Sequence, residues 1–178
     1  MALRKALAYS KKKLRPYTRT SRVKSKTYIK VNPPNKMAKY SMGDMKAYTT
    51  GKHKFIVRLI SDEKVQMRDN ALEASRMYVN KMLDLEIPGE YYLAVKVYPH
   101  HILRENKTAA GAGADRLSSG MKHSFGIVIG RAAIVKEGKE IFFVSCTNEK
   151  AARFARETLS KIKSKLPCRT KISFQKVA

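Results

Sequence analysis

The stretch GIVIGRAAIVKEGKEIFFVSCTNEKAARFARETLSKIKSKL, residues 126–166, decides the fold class of this chain. Its first half predicts two apolar strands, 126–135 and 140–146, joined by a turn around Gly138. Its second half, 147–166, predicts an amphipathic helix, because apolar residues recur at spacings of three and four. That apolar stripe consists of Ala152, Ala155, Leu159, Ile162 and Leu166. Strands followed directly by a helix favour an α+β fold.

The preceding and following segments add the same two kinds of element. Residues 66–84 predict a second helix, with Asn70 as its N-cap and Glu73 completing a capping box. Its core stripe is predicted to be Leu72, Ser75, Val79, Met82 and Leu83. Further strands are predicted at 54–60, 91–98 and 169–177. We therefore predict that residues 37–178 form one α+β domain, a two-layer sandwich of a mainly antiparallel sheet with two helices on one face.

Positive charge is concentrated before this domain. The chain carries 38 Lys and Arg against 14 Asp and Glu, a net charge of +24, and residues 1–43 contain no acid. Such an excess repels itself unless a polyanion neutralises it, so nucleic acid is the leading partner and an anionic membrane a distant second. Residues 1–36 also contain three prolines and little apolar periodicity. We expect this basic arm to become ordered only against a partner.

The glycine-rich segment TAAGAGADRLSSGMKHSFG, residues 108–126, could hold a nucleotide or lie against a large RNA. A P-loop needs G-x-x-x-x-G-K-[ST] and a dinucleotide fingerprint needs G-x-G-x-x-G, and neither pattern is present. Small side chains would let backbone amides approach phosphates, with Lys107, Arg116 and Lys122 adding charge. A plain surface loop over 99–126 accounts for the same residues equally well.

Other catalytic and metal-binding patterns are also missing from the sequence. His100 and His101 are adjacent, and adjacent strand residues face opposite sides, so they make a poor pair of metal ligands. RNA contact or loop packing is the better interpretation of both histidines. Cys146 and Cys168 suit a reduced cytosolic protein without a disulfide framework. We expect no enzyme activity, cofactor, metal, membrane span or cleaved targeting peptide.

The arm has the composition of an RNA-binding segment. In SKKKLRPYTRTSRVKSK, residues 10–26, bases alternate with hydroxyls and one tyrosine, which can pair with phosphates and stack on unpaired bases. A tail with only non-specific attraction is the alternative, since charge alone carries no sequence information. No helix-turn-helix or zinc finger is evident, which disfavours duplex DNA. The predicted contacts in the arm are Arg4, Lys11, Lys12, Lys13, Arg15, Tyr17, Arg19, Arg22, Lys24 and Lys26.

Four segments resemble one family. YPHHILRENKTAAGAGADRLSSGMKHSFG (98–126) resembles the signature region of the universal ribosomal protein L-sixteen family, in its archaeal and eukaryotic branch. QMRDNALEASR (66–76), PYTR (16–19) and KLPCR (165–169) resemble further marker segments. The resemblance covers nearly the whole chain. It implies a cytoplasmic structural constituent of the large ribosomal subunit, acting in translation.

The same resemblance implies partners and contact residues. The partners are large-subunit rRNA, neighbouring ribosomal proteins and the tRNA acceptor arms or elbow in the A and P sites, with 5S rRNA as a further candidate. Neither a membrane nor a homo-oligomer is implied. Implied rRNA contacts beyond the arm are Arg68, His100, His101, Arg104, Lys107, Arg116, Lys122 and His123. The loop near tRNA and the peptidyl transferase region would include Thr108, Ala109, Ala110, Gly111, Ala112, Gly113, Ala114 and Asp115.

Two positions depart from the family pattern. Asp69 stands where the family usually has histidine, and an acid is unfavourable next to phosphate, so Asp69 is not predicted as a contact. Ile127 and Val128 stand where the family favours lysine and proline, so the strand is expected to begin early. Two other functions stay open: an extra-ribosomal RNA-binding or ribosome-assembly protein, and an enzyme acting on RNA or a nucleotide.

Overall fold

The computed structural model describes residues 17–18, 21–23, 29, 31–105 and 127–177 of the chain. Within them the elements are β1 (Ser41–Gly43), α1 (Met45–Thr49), β2 (Phe55–Ser61), β3 (Val65–Arg68), α2 (Asp69–Glu86), β4 (Tyr91–Val95), β5 (His101–Glu105), β6 (Ile127–Val135), β7 (Glu140–Cys146), α3 (Glu149–Lys161), a 3-10 helix (Ile162–Lys165) and β8 (Thr170–Lys176). The predicted α+β class is confirmed.

The strands form two antiparallel sheets. One has five strands in the order β1-β4-β7-β2-β8, and the other has three in the order β3-β6-β5. The strands at 126–135 and 140–146 are therefore confirmed as strands, but they belong to different sheets. The turn between them is tied to β2, since Gly138 N donates to Ser61 O at 2.8 Å. Both sheets contribute to one hydrophobic core, which α2 and α3 cover.

Helix α3 follows the sequence closely. All five predicted stripe residues are buried, from Ala152 to Leu166. The α-helix ends at Lys161, and the stripe continues through the 3-10 helix that carries Ile162. The tightened last turn still leads the apolar side chains onto the sheet, so the stripe predicts the packing even where the helix type changes.

Helix α2 begins differently from the prediction. Residues 65–68 are strand β3 rather than helix, and Arg68 is the N-cap, with extended backbone and no side-chain capping bond. Asn70 lies inside the first turn, so it cannot be the cap. Glu73 forms an ion pair with Arg76, with 2.6 Å between Oε1 and Nη2, instead of closing a capping box. The predicted stripe is otherwise buried at Leu72, Ser75, Val79 and Leu83, while Met82 is half-buried.

The described end of the arm packs against the domain. Ile29, Pro33 and Met37 are buried, and the Lys36 amide donates to Asp69 Oδ2 at 3.2 Å. The described residues at this end of the arm therefore contact the domain itself, and the expectation that residues 1–36 order against a partner stays a prediction. Its apolar side chains are few, but they meet the domain's own surface at defined places.

Candidate nucleic-acid interface

Six of the predicted RNA contacts lie among the described residues: Tyr17, Arg22, Arg68, His100, His101 and Arg104. The others lie outside them, namely Arg4, Lys11, Lys12, Lys13, Arg15, Arg19, Lys24, Lys26, Lys107, Arg116, Lys122 and His123. The predicted loop near tRNA, Thr108, Ala109, Ala110, Gly111, Ala112, Gly113, Ala114 and Asp115, also lies outside the described residues. The described residues on either side of 106–126 are Glu105 and Ile127, which are paired partners in β5 and β6. The described part of strand β6 starts at Ile127.

Three of the six residues fasten the arm to strand β5. The Tyr17 amide donates to His101 Nδ1 at 3.0 Å, and the Ile102 amide donates to Tyr17 O at 2.8 Å. The Arg104 guanidinium lies over the Tyr17 ring, with its central carbon 3.6 Å from the ring centroid. We call this group, Tyr17, His101 and Arg104, the arm clip. It joins residues 84 positions apart and fixes where the basic arm meets the domain.

His101 is the neutral, structural member of the arm clip. Its side chain is only 6% exposed. Burial, together with the positive charge of Arg104, lowers the pKa of His101 to about 4. Because Nδ1 accepts the Tyr17 N–H, the ring's proton belongs on Nε2, and protonation of Nδ1 would remove that acceptor.

The sheet register brings Arg68 next to the arm clip. Arg68 in β3 and His101 in β5 both lie directly opposite Ala132 of the central strand β6. Residues opposite one another across a sheet share a face, so Arg68 and His101 flank the small Ala132 side chain. This face therefore combines the arm clip with a second, half-buried arginine.

His100 faces a different environment from its neighbour. It is exposed, and its ring lies against Tyr98 with 4.4 Å between centroids. The prediction that the two histidines face opposite sides is therefore confirmed. His100 and Arg22 are the two exposed members among the six described contacts.

Two further side chains, not predicted as sites, hold the arm. Arg131 Nε donates to Pro33 O at 2.7 Å, and its Nη2 donates to Asn32 Oδ1 at 3.0 Å. Asp69 is 2% exposed and accepts from the amides of Lys36 and Asn70. The departure at Asp69 thus has a local explanation, since its carboxylate faces the arm backbone. A lone arginine within the apolar strand 126–135 was the sequence signal for Arg131, because a buried-strand arginine needs a partner.

The arrangement suits binding rather than catalysis. It consists of arginines, an aromatic ring and main-chain hydrogen bonds, which position a basic segment. Within the described ranges, no group of three or more His, Cys, Asp or Glu side chains is placed to hold a metal ion. No helix in the described part of the chain is long and apolar enough to cross a membrane.

Comparison with known proteins places this geometry in context. Residues 11–173 match the family model for ribosomal protein L16p/L10e. The large ribosomal subunit protein uL16 of Methanococcus maripaludis is 43% identical over 173 residues, covering 97% of this chain and 94% of the relative. The proteins of that name from Thermofilum pendens and Archaeoglobus fulgidus are each 40% identical, over 97% and 91% of this chain and 96% and 87% of their own lengths.

Proposed function

The chain belongs to the ribosomal protein L16p/L10e family, and from this premise we infer that it is a structural constituent of the large ribosomal subunit in translation. It is not an enzyme. Its task is to bind large-subunit rRNA and to order it around the tRNA-binding cleft, within cytoplasmic ribosomes. Neighbouring ribosomal proteins are further partners, and 5S rRNA is a candidate.

The observation that carries this proposal is the arm clip, which attaches Tyr17 of the strongly basic arm to a fixed point on a folded domain. The arm has a charge excess that only a polyanion neutralises well. The domain holds Tyr17 by two main-chain hydrogen bonds and one guanidinium. A basic segment with a fixed origin fits a folded RNA of one shape better than a diffuse anionic surface, because the phosphates must lie within its reach.

The glycine-rich loop gives the finer part of the proposal. We place residues 108–115 beside the A- and P-site tRNAs near the peptidyl transferase region, on the strength of the family membership and the small side chains. His100, with Arg68 and Arg104 on the three-stranded sheet, would contact rRNA at the base of this loop. His101 would act there indirectly, by holding Tyr17.

The proposal is tested by sedimentation of a tagged full-length chain from cell lysate, followed by a high-salt wash. We expect one copy of the chain to remain on each large subunit after the wash, because shape-specific RNA binding persists when weak charge contacts are screened. Loss in the wash, or co-migration with subunit precursors only, would contradict it and favour an assembly protein. Saturable nucleotide binding lost on substitution of Gly111 would favour an enzyme.

The loop is tested separately. Bulky side chains in place of residues 110–114 are expected to leave incorporation unchanged while impairing tRNA binding to purified subunits. Ser160→Phe, a bulky side chain at an exposed position of α3, is the matched control. Normal tRNA binding by the loop variant would contradict its placement beside tRNA.

A further inference from the structure

A groove lies where the chain passes from β4 to β5, beside the turn between β6 and β7. Its volume is about 480 Å³, within the range of roughly 300–1,000 Å³ of small-ligand sites. The side chains that characterise it are Lys96, Tyr98, His100, Ile134, Lys136 and Lys139. We define these six residues as the β4–β5 groove.

The groove contains exposed planar rings. Tyr98 is 42% exposed and stacks on Tyr40 at 5.3 Å between centroids, with an interplanar angle of 25°. His100 meets Tyr98 at 4.4 Å between centroids, with the two ring planes tilted by 45°, and His100 is itself exposed. The Tyr40 hydroxyl accepts from Asn35 Nδ2 at 2.7 Å, so the lower end of this stack is fixed. Rings held in this way can stack on a base at little cost in side-chain entropy.

Positive charge surrounds the rings. Lys136 and Lys139 stand at the two ends of one turn, closed by a 3.2 Å bond from Lys139 N to Lys136 O. Two hydrogen bonds hold that turn against β2. Gly138 N donates to Ser61 O, and Ser61 N donates to Lys139 O at 2.9 Å. The Lys96 backbone amide donates a hydrogen bond to Ile141 O, which fixes the position of this residue. Its ammonium lies 4.9 Å from the centroid of the Phe143 ring.

These lysines have no acidic partner in the groove. Across the residues that the structure describes, none of the three lysines forms a salt bridge, and no acid is among the groove's lining side chains. Glu137 lies in the same turn but is not one of the lining residues. Three exposed lysines around two exposed rings match the chemistry of a nucleotide, with phosphates at the rim and a base on the His100 ring.

We propose that the β4–β5 groove binds an unpaired nucleotide of single-stranded RNA, whose base stacks on the exposed ring of His100, beside Tyr98, and whose phosphates meet Lys96, Lys136 and Lys139. This inference rests on the proposed function for the source of the RNA, but the binding itself does not require a ribosome. A duplex cannot place a base in the groove, because its bases are already stacked on each other.

The test measures binding of the isolated full-length chain to a fluorescein-labelled RNA tetranucleotide and to an RNA hairpin duplex, by anisotropy over a salt series. His100→Ala is expected to weaken tetranucleotide binding at least about fivefold while leaving duplex binding unchanged, because one stacking surface is lost. His100→Phe is expected to restore it. Since His100 is exposed, its removal does not create a cavity in the core.

The charge is tested by a pair of matched double variants. Lys136→Ala/Lys139→Ala is expected to reduce the log–log salt slope for the tetranucleotide by about 1.4, since each phosphate contact on a single strand contributes about 0.7. Lys150→Ala/Lys161→Ala removes the same charge from exposed positions of α3 and is expected to leave the ratio of tetranucleotide to duplex affinity unchanged.

The outcomes separate the two proposals. Equal tetranucleotide binding by wild type, His100→Ala and His100→Phe would overturn the groove proposal even if the chain sediments with large subunits. Equal loss for tetranucleotide and duplex would also overturn it, because only charge would be at work. Selective loss in His100→Ala with rescue by His100→Phe supports the groove even if the chain is absent from mature subunits. Occupation of the groove by a neighbouring protein, seen as protein cross-links at Lys136 or Lys139 in purified subunits, would overturn it.

Discussion

The five-stranded and three-stranded sheets of this chain share one core but differ in the kind of contact that each contributes. The five-stranded sheet buries Val57, Leu59 and Phe142 completely beneath the helices. The three-stranded sheet adds Met67 and Val135 to that core, while its other face carries arginines and the arm clip. Apolar contacts therefore supply stability from the first sheet, whereas polar contacts on the second attach Tyr17 of the arm. The same antiparallel geometry serves both purposes, because successive residues of a strand face opposite sides.

The largest effect is expected in the five-stranded sheet. Phe142→Ala should lower the free energy of unfolding by about 3–5 kcal/mol, since it leaves a cavity in a closed core. Phe174→Ala is the matched control, because Phe174 is 45% exposed on the edge strand β8 and should cost much less. Urea denaturation measures both. Similar losses for the two variants would contradict the difference between core and edge.

The next effect is specific to the three-stranded sheet and depends on pH. Burial lowers the pKa of His101 from 6.5 to about 4, so the unfolded chain binds more protons than the folded chain in that interval. The contribution, roughly 3 kcal/mol, should be complete above pH 6.5 and lost as the pH falls toward 4. His101→Asn keeps an acceptor for the Tyr17 amide but does not titrate, so its stability should fall less over this range. Urea denaturation at several pH values compares the two; equal slopes would contradict the neutral role of His101.

A smaller effect is expected where the arm meets α2. Asp69→Ala should cost about 1–2 kcal/mol of stability, because two amide donors lose a charged acceptor near a helix N-terminus. Asn70→Ala is the control, since Asn70 is in the first turn and does not cap α2. Thermal denaturation measures the difference. A larger loss in the Asn70 variant would restore the capping box that the sequence predicts.

The smallest effect concerns the arm clip alone. Tyr17→Ala should shift the docking equilibrium by about 0.5–2 kcal/mol without unfolding the domain, since it removes one cation–π contact. Hydrogen exchange of the Ile102 amide, which donates to Tyr17 O, reports this opening directly. Tyr17→Phe keeps the ring and should exchange like the wild type. Unchanged protection in Tyr17→Ala would mean that the main-chain bonds hold the arm without the ring.

The sequence predicts periodic elements well because periodicity depends on local geometry. The stripe of α3 and the strand at 55–61 follow directly from spacings of three to four and of two. Periodicity does not identify a strand's partner. The strands β6 and β7 are close in the chain and separated by one turn, yet β6 pairs with β3 and β5 while β7 pairs with β2 and β4.

Helix caps and side-chain contacts depend on the three-dimensional path of the chain, so the sequence predicts them less well. A polar residue such as Asn70 predicts a cap only if the chain turns there, and the strand before α2 moves the cap to Arg68. Tyr17 and Arg104 are predicted as RNA contacts from composition and resemblance, and their mutual stacking is visible only in three dimensions. The short α1, which Asp44 caps at the Ala47 amide, has too few residues for a periodic signal.

The pairing of Glu105 with Ile127 sets a length limit on the glycine-rich segment between them. Both ends of residues 106–126 start from neighbouring strands, so covalent geometry requires the chain to leave and return to one place. About ten residues are available in each direction, which bounds the farthest point at roughly 35 Å from the sheet edge. Each residue added to or removed from 106–126 changes that radius by less than 2 Å. A graded series of insertions and deletions in 106–126 would therefore act as a ruler for the distance between the sheet edge and whatever the tip touches.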